Sequence, residues 1–544
     1  MHERVQNKGC AMAEFEFIVI GGGSAGMALA ARLSEAGRQT LLLEAGLERL
    51  KPWDFWKVSM PAAYSYVFRN PATNWMYEGE PEPTLNGRRM YQPRGKVLGG
   101  SSAINGMGYL RPHPALFDRW VAEGAEGWGW NEVLPFFKRL ENWRGPADPL
   151  RGTDGPVEIT KGPFDCVYYP AFIEAGKQAG FAVSDDLNGT ENEGFGHFQM
   201  NVEAGTRAST AHAYRRHVAD RARLTILGGA LVRRIVIEKG RATGVEYLRR
   251  AKVEAARASG EVILSAGAFN SPQVLMLSGI GPEDELARHG IAPSQILPGV
   301  GQNLQDHPIL YPKYRSRRND SPIRYQRFDR KARVGLQWLL TRRGPGATNY
   351  MEAAAFLRSG PEAPYPDIEF QFCPLVIDHA KGGALKTHGW SNSCGPVAVE
   401  GRGWVKLRSA DPLAPPRILC NFMSTDHDIA MMHRAFELNR EVMAQPAMRA
   451  LMEDEIEPGF QVRSRADIHA YMLDHVAGDY HPVGTCKIGA PDDKMAVVDP
   501  ALRVYGVDGL RVSDASVMPV ITNANTNSTS IMIGERTADL VLNA

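Results

Sequence analysis

The stretch Phe15-Glu16-Phe17-Ile18-Val19-Ile20-Gly21-Gly22-Gly23-Ser24-Ala25-Gly26 reads as a buried strand running into a glycine-rich turn. The residues that follow, Met27 to Gly37, suit a helix. Gly21, Gly23 and Gly26 give the spacing G-x-G-x-x-G, a turn in which backbone N–H groups approach a pyrophosphate at a helix N-terminus. With Ser24 and Ala25 between them, these glycines are the candidate contacts. A second apolar strand, Thr40 to Leu43, ends in Glu44, 18 residues past Gly26 (44 − 26). A carboxylate there accepts hydrogen bonds from a ribose diol, and Ala45 beside it is small. The glycine spacing alone also fits a plain strand-to-helix turn. Strand, helix, second strand and acid in this order predict a dinucleotide site, with NAD still open.

The chain has 544 residues, enough for two to four domains, and 44% of them are apolar. Lys and Arg number 62 against 61 Asp and Glu, so nothing suggests a nucleic-acid partner or a polybasic membrane tail. The cysteines at 10, 166, 373, 394, 420 and 486 are scattered, as expected of reduced thiols in a cytoplasmic protein. His113, His197, His212 and His217 do not cluster with acids or cysteines, so no metal is expected. Residues 1–13 read as a tail without a signal-peptide pattern, and Met12 is a possible alternative start. No run is long and unbroken enough to span a bilayer. The stretch 47–90, rich in Pro, Trp and Tyr, is expected to be an irregular surface excursion, either a lid or a packed loop.

A second site of close backbone approach is Pro93-Arg94-Gly95-Lys96-Val97-Leu98-Gly99-Gly100-Ser101-Ser102-Ala103-Ile104-Asn105-Gly106-Met107. Together with the opening unit it resembles the glucose–methanol–choline (GMC) family of FAD-dependent oxidoreductases, whose first signature is similar to Gly99-Gly100-Ser101-Ser102-x-x-Asn105. The middle of the chain adds to the resemblance. Val262 to Ala268 is a continuous apolar strand entering a small-residue turn, followed by Phe269-Asn270-Ser271-Pro272-Gln273 and Ser278-Gly279-Ile280-Gly281-Pro282, similar to the second signature. Gly299 to Pro308 is also family-like. His307, within it, is more simply read as structural. The resemblance implies FAD contacts at Arg94, Leu98, Gly99, Gly100, Ser102, Asn105, Gly106, Met107, Val232, Ala266 and Gly267. Ile104 stands where some family members carry the histidine that bonds FAD covalently, which implies non-covalent FAD here.

The C-terminal stretch holds Tyr480-His481-Pro482, Ser513-Asp514-Ala515 and Asn523-Ala524-Asn525-Thr526-Asn527 before a helix from about Ser528 to Leu542. Alone, His481 is a lone histidine and the asparagines are helix caps. The resemblance implies that His481 and Asn525 are the catalytic pair that also contacts substrate with Tyr480. It places Asp514, Ala515, Asn525 and Thr526 at the cofactor. The residue types suit alcohol oxidation, because histidine takes a proton near neutral pH and asparagine holds a hydroxyl without competing as a base. Further substrate-side candidates are Met107, Asn349, Tyr350, Glu352, Phe370 and Phe372, with Glu352 facing either a cationic head group or solvent.

The fold implied is α/β, a Rossmann-like FAD-binding domain with an inserted α+β substrate domain on a largely antiparallel sheet. Expected boundaries are 14–155, 206–310 and 476–544 for the first and 156–205 and 311–475 for the second. Strands are expected at Asp367–Phe372 and Gly403–Leu407, with helices around Ala332–Thr341 and His427–Ala444. The implied activity is oxidation of a primary alcohol to an aldehyde, with choline as the narrower alternative. The hydroxyl proton goes to His481 and hydride to flavin N5, and a quinone-type acceptor or dioxygen takes the electrons. Peripheral membrane association would suit the quinone. A lyase or photodecarboxylase on the same scaffold, and a non-catalytic dinucleotide binder, are the alternatives.

Overall fold

The computed structural model describes residues 13–218, 222–378 and 382–544, except the side chain of His217. The expected tail, with Met12 and Cys10, lies largely outside them. Two seven-stranded sheets organise the chain. In the first, Leu224–Gly228, Thr40–Glu44, Ala13–Ile20, Lys252–Leu264 and Leu510–Val512 run parallel. The hairpin partners Arg241–Arg249 and Ala230–Glu238 extend it antiparallel. Ile18, Val19, Leu42 and Ile263 are fully buried, with helix Ser24–Glu35 against the parallel strands and strand Ala230–Glu238 folded onto Thr40–Glu44. Helix Ser24–Glu35 lies against the C-terminal helix Asn527–Leu542. A Cβ on Gly534 would sit 2.3 Å from the Ala25 carbonyl oxygen, so the crossing requires glycine.

The second sheet runs Met452–Glu457, Lys313–Ser316, Gly389–Pro396, Ile368–Cys373, Ala353–Leu357, Gly194–His197 and Val183–Ser184, antiparallel except for the last pair. Helices Asp426–Met443 and Tyr168–Gln178 pack on one face. The other face closes over the carboxyl ends of the first sheet, where ligands of open α/β sheets bind. The expected strand near 403–407 exists as Trp404–Lys406 but pairs with Arg417–Leu419 in a separate ribbon.

The stretch 47–90 is more regular than expected. It holds helices Phe55–Ser59 and Tyr64–Phe68 and the ribbon Tyr77–Pro81 with Arg89–Gln92. Each element is about one turn or one short strand, below the length at which hydrophobic periodicity registers.

Candidate active site

A cavity of about 980 Å³ runs from Glu44, Ala45 and Val232 at one end to Tyr480, His481 and Asn525 at the other. This is near the upper end of the roughly 300–1,000 Å³ usual for ligand pockets. The glycine turn forms its floor. Gly26 does not line the cavity; a Cβ there would lie 2.0 Å from the Gly21 carbonyl oxygen, so Gly26 lets the turn close on itself. Gly23 and Gly267 do line it, and a Cβ on either would meet no atom closer than 4.0 Å. The second glycine turn presses against the first. Gly99 N–H donates to the Gly22 carbonyl (2.7 Å), and Gly100, at φ +52°, would place a Cβ 2.7 Å from Gly23 Cα.

Leu98, Gly99 and Ser102, also expected at the cofactor, do not line the cavity and stand behind its wall. Leu98 packs behind Gly22, and the Ser102 hydroxyl donates to the Gly99 carbonyl (2.6 Å) while bonding Thr210. The others expected at the cofactor, Gly21, Ser24, Ala25, Arg94, Gly100, Asn105, Gly106, Met107, Ala266, Asp514, Ala515 and Thr526, line the cavity. The Glu44 carboxylate accepts from Gly22 N–H (2.9 Å) and Gly46 N–H (2.7 Å), and burial pushes it up to about 7. Those two bonds leave lone pairs for a ribose diol. Ser265 lines the cavity with a buried hydroxyl that has no partner. Two helix N-termini meet where Ser24 donates to Asn527 Oδ1 (2.8 Å). The open glycine cradles, the orphaned hydroxyl and these helix ends fit a dinucleotide.

At the far end His481 Nε2 lies 3.1 Å from Asn525 Nδ2, and His481 Nδ1 lies 3.1 Å from His307 Nδ1. His307 Nε2 lies 2.9 Å from the Thr522 carbonyl oxygen. Burial holds both imidazoles neutral, His307 down to about 4 and His481 well below 6.5 with His307 and Arg94 adding to the effect. The carbonyl can only accept, so His307 carries its hydrogen on Nε2 and presents a bare Nδ1. His481 then donates from Nδ1, and its bare Nε2 accepts from Asn525. The Asn525 Oδ1 is buried without a partner.

Asp306 fixes the main chain of both histidines, its Oδ1 accepting from His481 N–H (2.6 Å) and His307 N–H (2.9 Å). Its carboxyl is pushed up to about 7 by burial, against the nearby Arg94 guanidinium. Arg94 in turn donates to the Tyr480 carbonyl (2.5 Å). Tyr480 itself is held at φ +65°, an uncommon conformation for a bulky residue.

The substrate-side expectations divide. Tyr480, Met107 and Tyr350 line the cavity. Glu352 does not; it accepts from Phe164 N–H (2.6 Å) and from the Thr348 hydroxyl inside the protein. Asn349 spends its amide on the Gly106 carbonyl (2.7 Å). Phe370 and Phe372 point to the helix-covered face, where Phe372 stacks on Phe172 at 4.7 Å. Alternation along the same strand sends Gln371 into the cavity instead. Asp479 and Tyr311 also line it and were not anticipated. Gln371 links Asp479 (2.9 Å) to the buried Glu369 (3.1 Å). The pattern Phe370-Gln371-Phe372 carried the signal, a lone polar residue between two aromatics in a buried strand. His307, expected to be structural, reaches His481. Among the described residues no cluster suited to a metal occurs, the five cysteines are free thiols, and no helix is long and apolar enough to cross a membrane.

Two family models match, both described as GMC oxidoreductase, over residues 15–309 and 399–534. An oxygen-dependent choline dehydrogenase of Rhizobium etli (strain CIAT 652) is 47% identical over 528 residues, covering 97% of this chain and 95% of the relative. Another so named, from Brucella ovis, is 44% identical over 530 residues, 97% and 96% of the two chains. Among solved structures, pyridoxine 4-oxidase from Mesorbium loti matches with a TM-score of 0.87 at 31% identity, over 96% of this chain and 98% of that one. A formate oxidase variant from Aspergillus oryzae RIB40 matches with a TM-score of 0.89 at 26% identity, over 97% and 98%. With models of both halves matched and relatives this similar along nearly the whole length, the chain belongs to the GMC oxidoreductase family and is an FAD-dependent alcohol oxidoreductase.

Proposed function

We propose that the chain oxidises a primary alcohol to its aldehyde with His481 as the proton acceptor. The observation that carries this reading is the polarity of the chain Thr522–His307–His481–Asn525, which leaves His481 Nε2 unprotonated at the cavity, its lone pair meeting only the exchangeable Asn525 amide. Asn525 Nδ2–H, which meets Nε2 here, donates to the substrate oxygen once the hydroxyl hydrogen takes its place at Nε2. The hydroxyl proton moves to Nε2 as the carbon gives up hydride, and His481 lies within one ring of a second neutral histidine that keeps its Nδ1–H in place. When bound, FAD supplies the hydride acceptor at its flavin N5. Gly21, Gly23 and the N-terminus of helix Ser24–Glu35 would hold the pyrophosphate and Glu44 the ribose, and the N-terminus of helix Asn527–Leu542 would favour negative charge on the cofactor. The electrons leave to a quinone-type acceptor or to dioxygen.

Ile104 provides no nucleophile, so FAD is held without a covalent bond. Acid precipitation then releases all the flavin, and yellow colour retained in the pellet would refute this. The name carried by the Rhizobium relatives makes choline a narrower candidate. The aromatic residues Tyr64, Phe68, Tyr311 and Tyr480 lining the cavity suit a cationic head group, and Asp479 adds a charge where it is ionised. An anaerobic panel of alcohols, choline among them, followed by flavin absorbance tests the reading. Bleaching by primary alcohols supports it. Intact absorbance with every alcohol sinks it and turns attention to the lyase. Reoxidation by air or by a soluble quinone separates oxidase from dehydrogenase.

A further inference from the structure

Helix Phe328–Thr341 carries an apolar face left exposed among the described residues. Its Trp338 is fully buried and packs with Val334 on Met60, Ala63 and Phe55. On the outside, Phe328 is 89% exposed, Leu336 59%, Leu339 47% and Leu340 76%. At 3.6 residues per turn these four, with Ala332, fall within an arc of about 120°. Four large apolar side chains on one face of one helix are a concentrated patch, unlike scattered surface leucines.

The charge around the face is as uneven as its hydropathy. The chain as a whole has a formal net charge of +1. Between Pro322 and Arg343, seven basic residues stand against one acid, Asp329, which pairs with Arg327. Arg330 and Arg333 flank the apolar arc, and Arg343 is exposed just past its end. A second copy of this chain is a poor occupant, because a two-fold contact sets the same basic flank against itself. An amphipathic helix with Phe and Leu on one face and Arg and Lys beside it suits the headgroup layer of an anionic bilayer.

We propose that helix Phe328–Thr341 is a membrane-docking surface for anionic phospholipid. Its position gives the docking a purpose. Lys331, Gly335 and Leu339 line the rim of the cavity on the edge next to the apolar arc. Docking therefore turns the cavity rim toward the bilayer, from which a lipophilic quinone can enter. That purpose rests on the proposed quinone-type acceptor, but the docking does not.

Co-sedimentation of the FAD-loaded full chain with vesicles reads docking without turnover. One set is phosphatidylcholine alone and the other contains phosphatidylglycerol. The protein is expected to partition onto the phosphatidylglycerol vesicles, more weakly at high salt. The double variant Leu336→Glu/Leu340→Glu should lower the partition coefficient at least about tenfold, since two exposed leucines lose their burial. The variant Arg330→Glu/Arg333→Glu should lower binding to anionic vesicles and weaken its salt dependence. Flavin content and reduction by alcohol in solution, unchanged in both variants, show that the protein is folded. No binding to either vesicle, or binding that both variants leave intact, overturns the proposal. So does a concentration-dependent dimer, seen by sedimentation, that Leu336→Glu/Leu340→Glu abolishes.

Discussion

At the glycine end of the cavity the wall is main chain, while at the histidine end it is side chains from separate stretches. The glycine end is fixed by distances between backbone atoms, as where Gly26 closes over the Gly21 carbonyl. The histidine end is fixed by a run of hydrogen bonds joining residues 307, 481, 522 and 525. Backbone contact tolerates no added atom, whereas a hydrogen-bond chain tolerates isosteric exchange but not loss of polarity. The two ends should therefore fail differently.

The largest effect is expected at Gly26. Gly26→Ala puts a methyl carbon 2.0 Å from a carbonyl oxygen, and the variant should give no folded flavoprotein. Gly23→Ala is the sharper comparison, because its methyl meets nothing closer than 4.0 Å and occupies only the cavity. It should fold, with the far-UV dichroism of the parent, and bind FAD at least about tenfold more weakly, or roughly 1.4 kcal/mol. Equal flavin content in the Gly23→Ala protein would show that the cofactor does not use this cradle.

The histidine end should lose rate and keep the cofactor. His481→Ala is expected to retain FAD but to slow its anaerobic reduction by alcohol at least ~100-fold, the lower range for a lost general base. Near-normal reduction would remove His481 from the mechanism. A smaller loss, on the order of tenfold, is expected for His307→Leu, which cannot accept the His481 Nδ1–H and so frees the ring to take the other tautomer. His307→Gln can both donate to Thr522 and accept from His481, and should restore most of the rate constant with little change in KM. If Leu and Gln behave alike, His307 acts by packing and not by proton placement.

The same contrast explains what was legible in the sequence. Close backbone approach leaves a local signature, and the strand, turn and acid from Phe15 to Glu44 stand where their spacing implied. Leu98, Gly99 and Ser102 mark the second turn correctly but support the wall, because a glycine motif shows where chains come close and not which atom faces the ligand. Phe370 and Phe372 were misplaced by one residue of strand alternation. Only the packing of helices Asp426–Met443 and Tyr168–Gln178 decides which face of that strand is covered. Asp306 and His307 are adjacent in a family-like stretch, yet their roles depend on residues more than 170 positions away.

The smallest effect concerns the buried acids beside the histidines. Burial pushes Glu369 up to about 8 and Asp479 well above its ordinary value, with Glu369 and Asp306 repelling Asp479 further. Folded-state values raised above the unfolded ones, 4.5 and 3.8, mean that the folded protein holds more protons than the unfolded chain in this window. Stability is then fully present at low pH and falls as pH rises through about 8, by up to about 1.4 kcal/mol per pH unit for each proton involved. Glu369→Gln keeps an oxygen for the Gln371 amide and removes one titration, so its Tm should fall less steeply than the parent's from about pH 5 to pH 8. Parallel slopes would mean that Glu369 is already ionised beside Asp479 across that range. A negative charge would then lie behind Gln371 and Asp479 at the cavity wall, and the case for a cationic alcohol would grow at the expense of a neutral one.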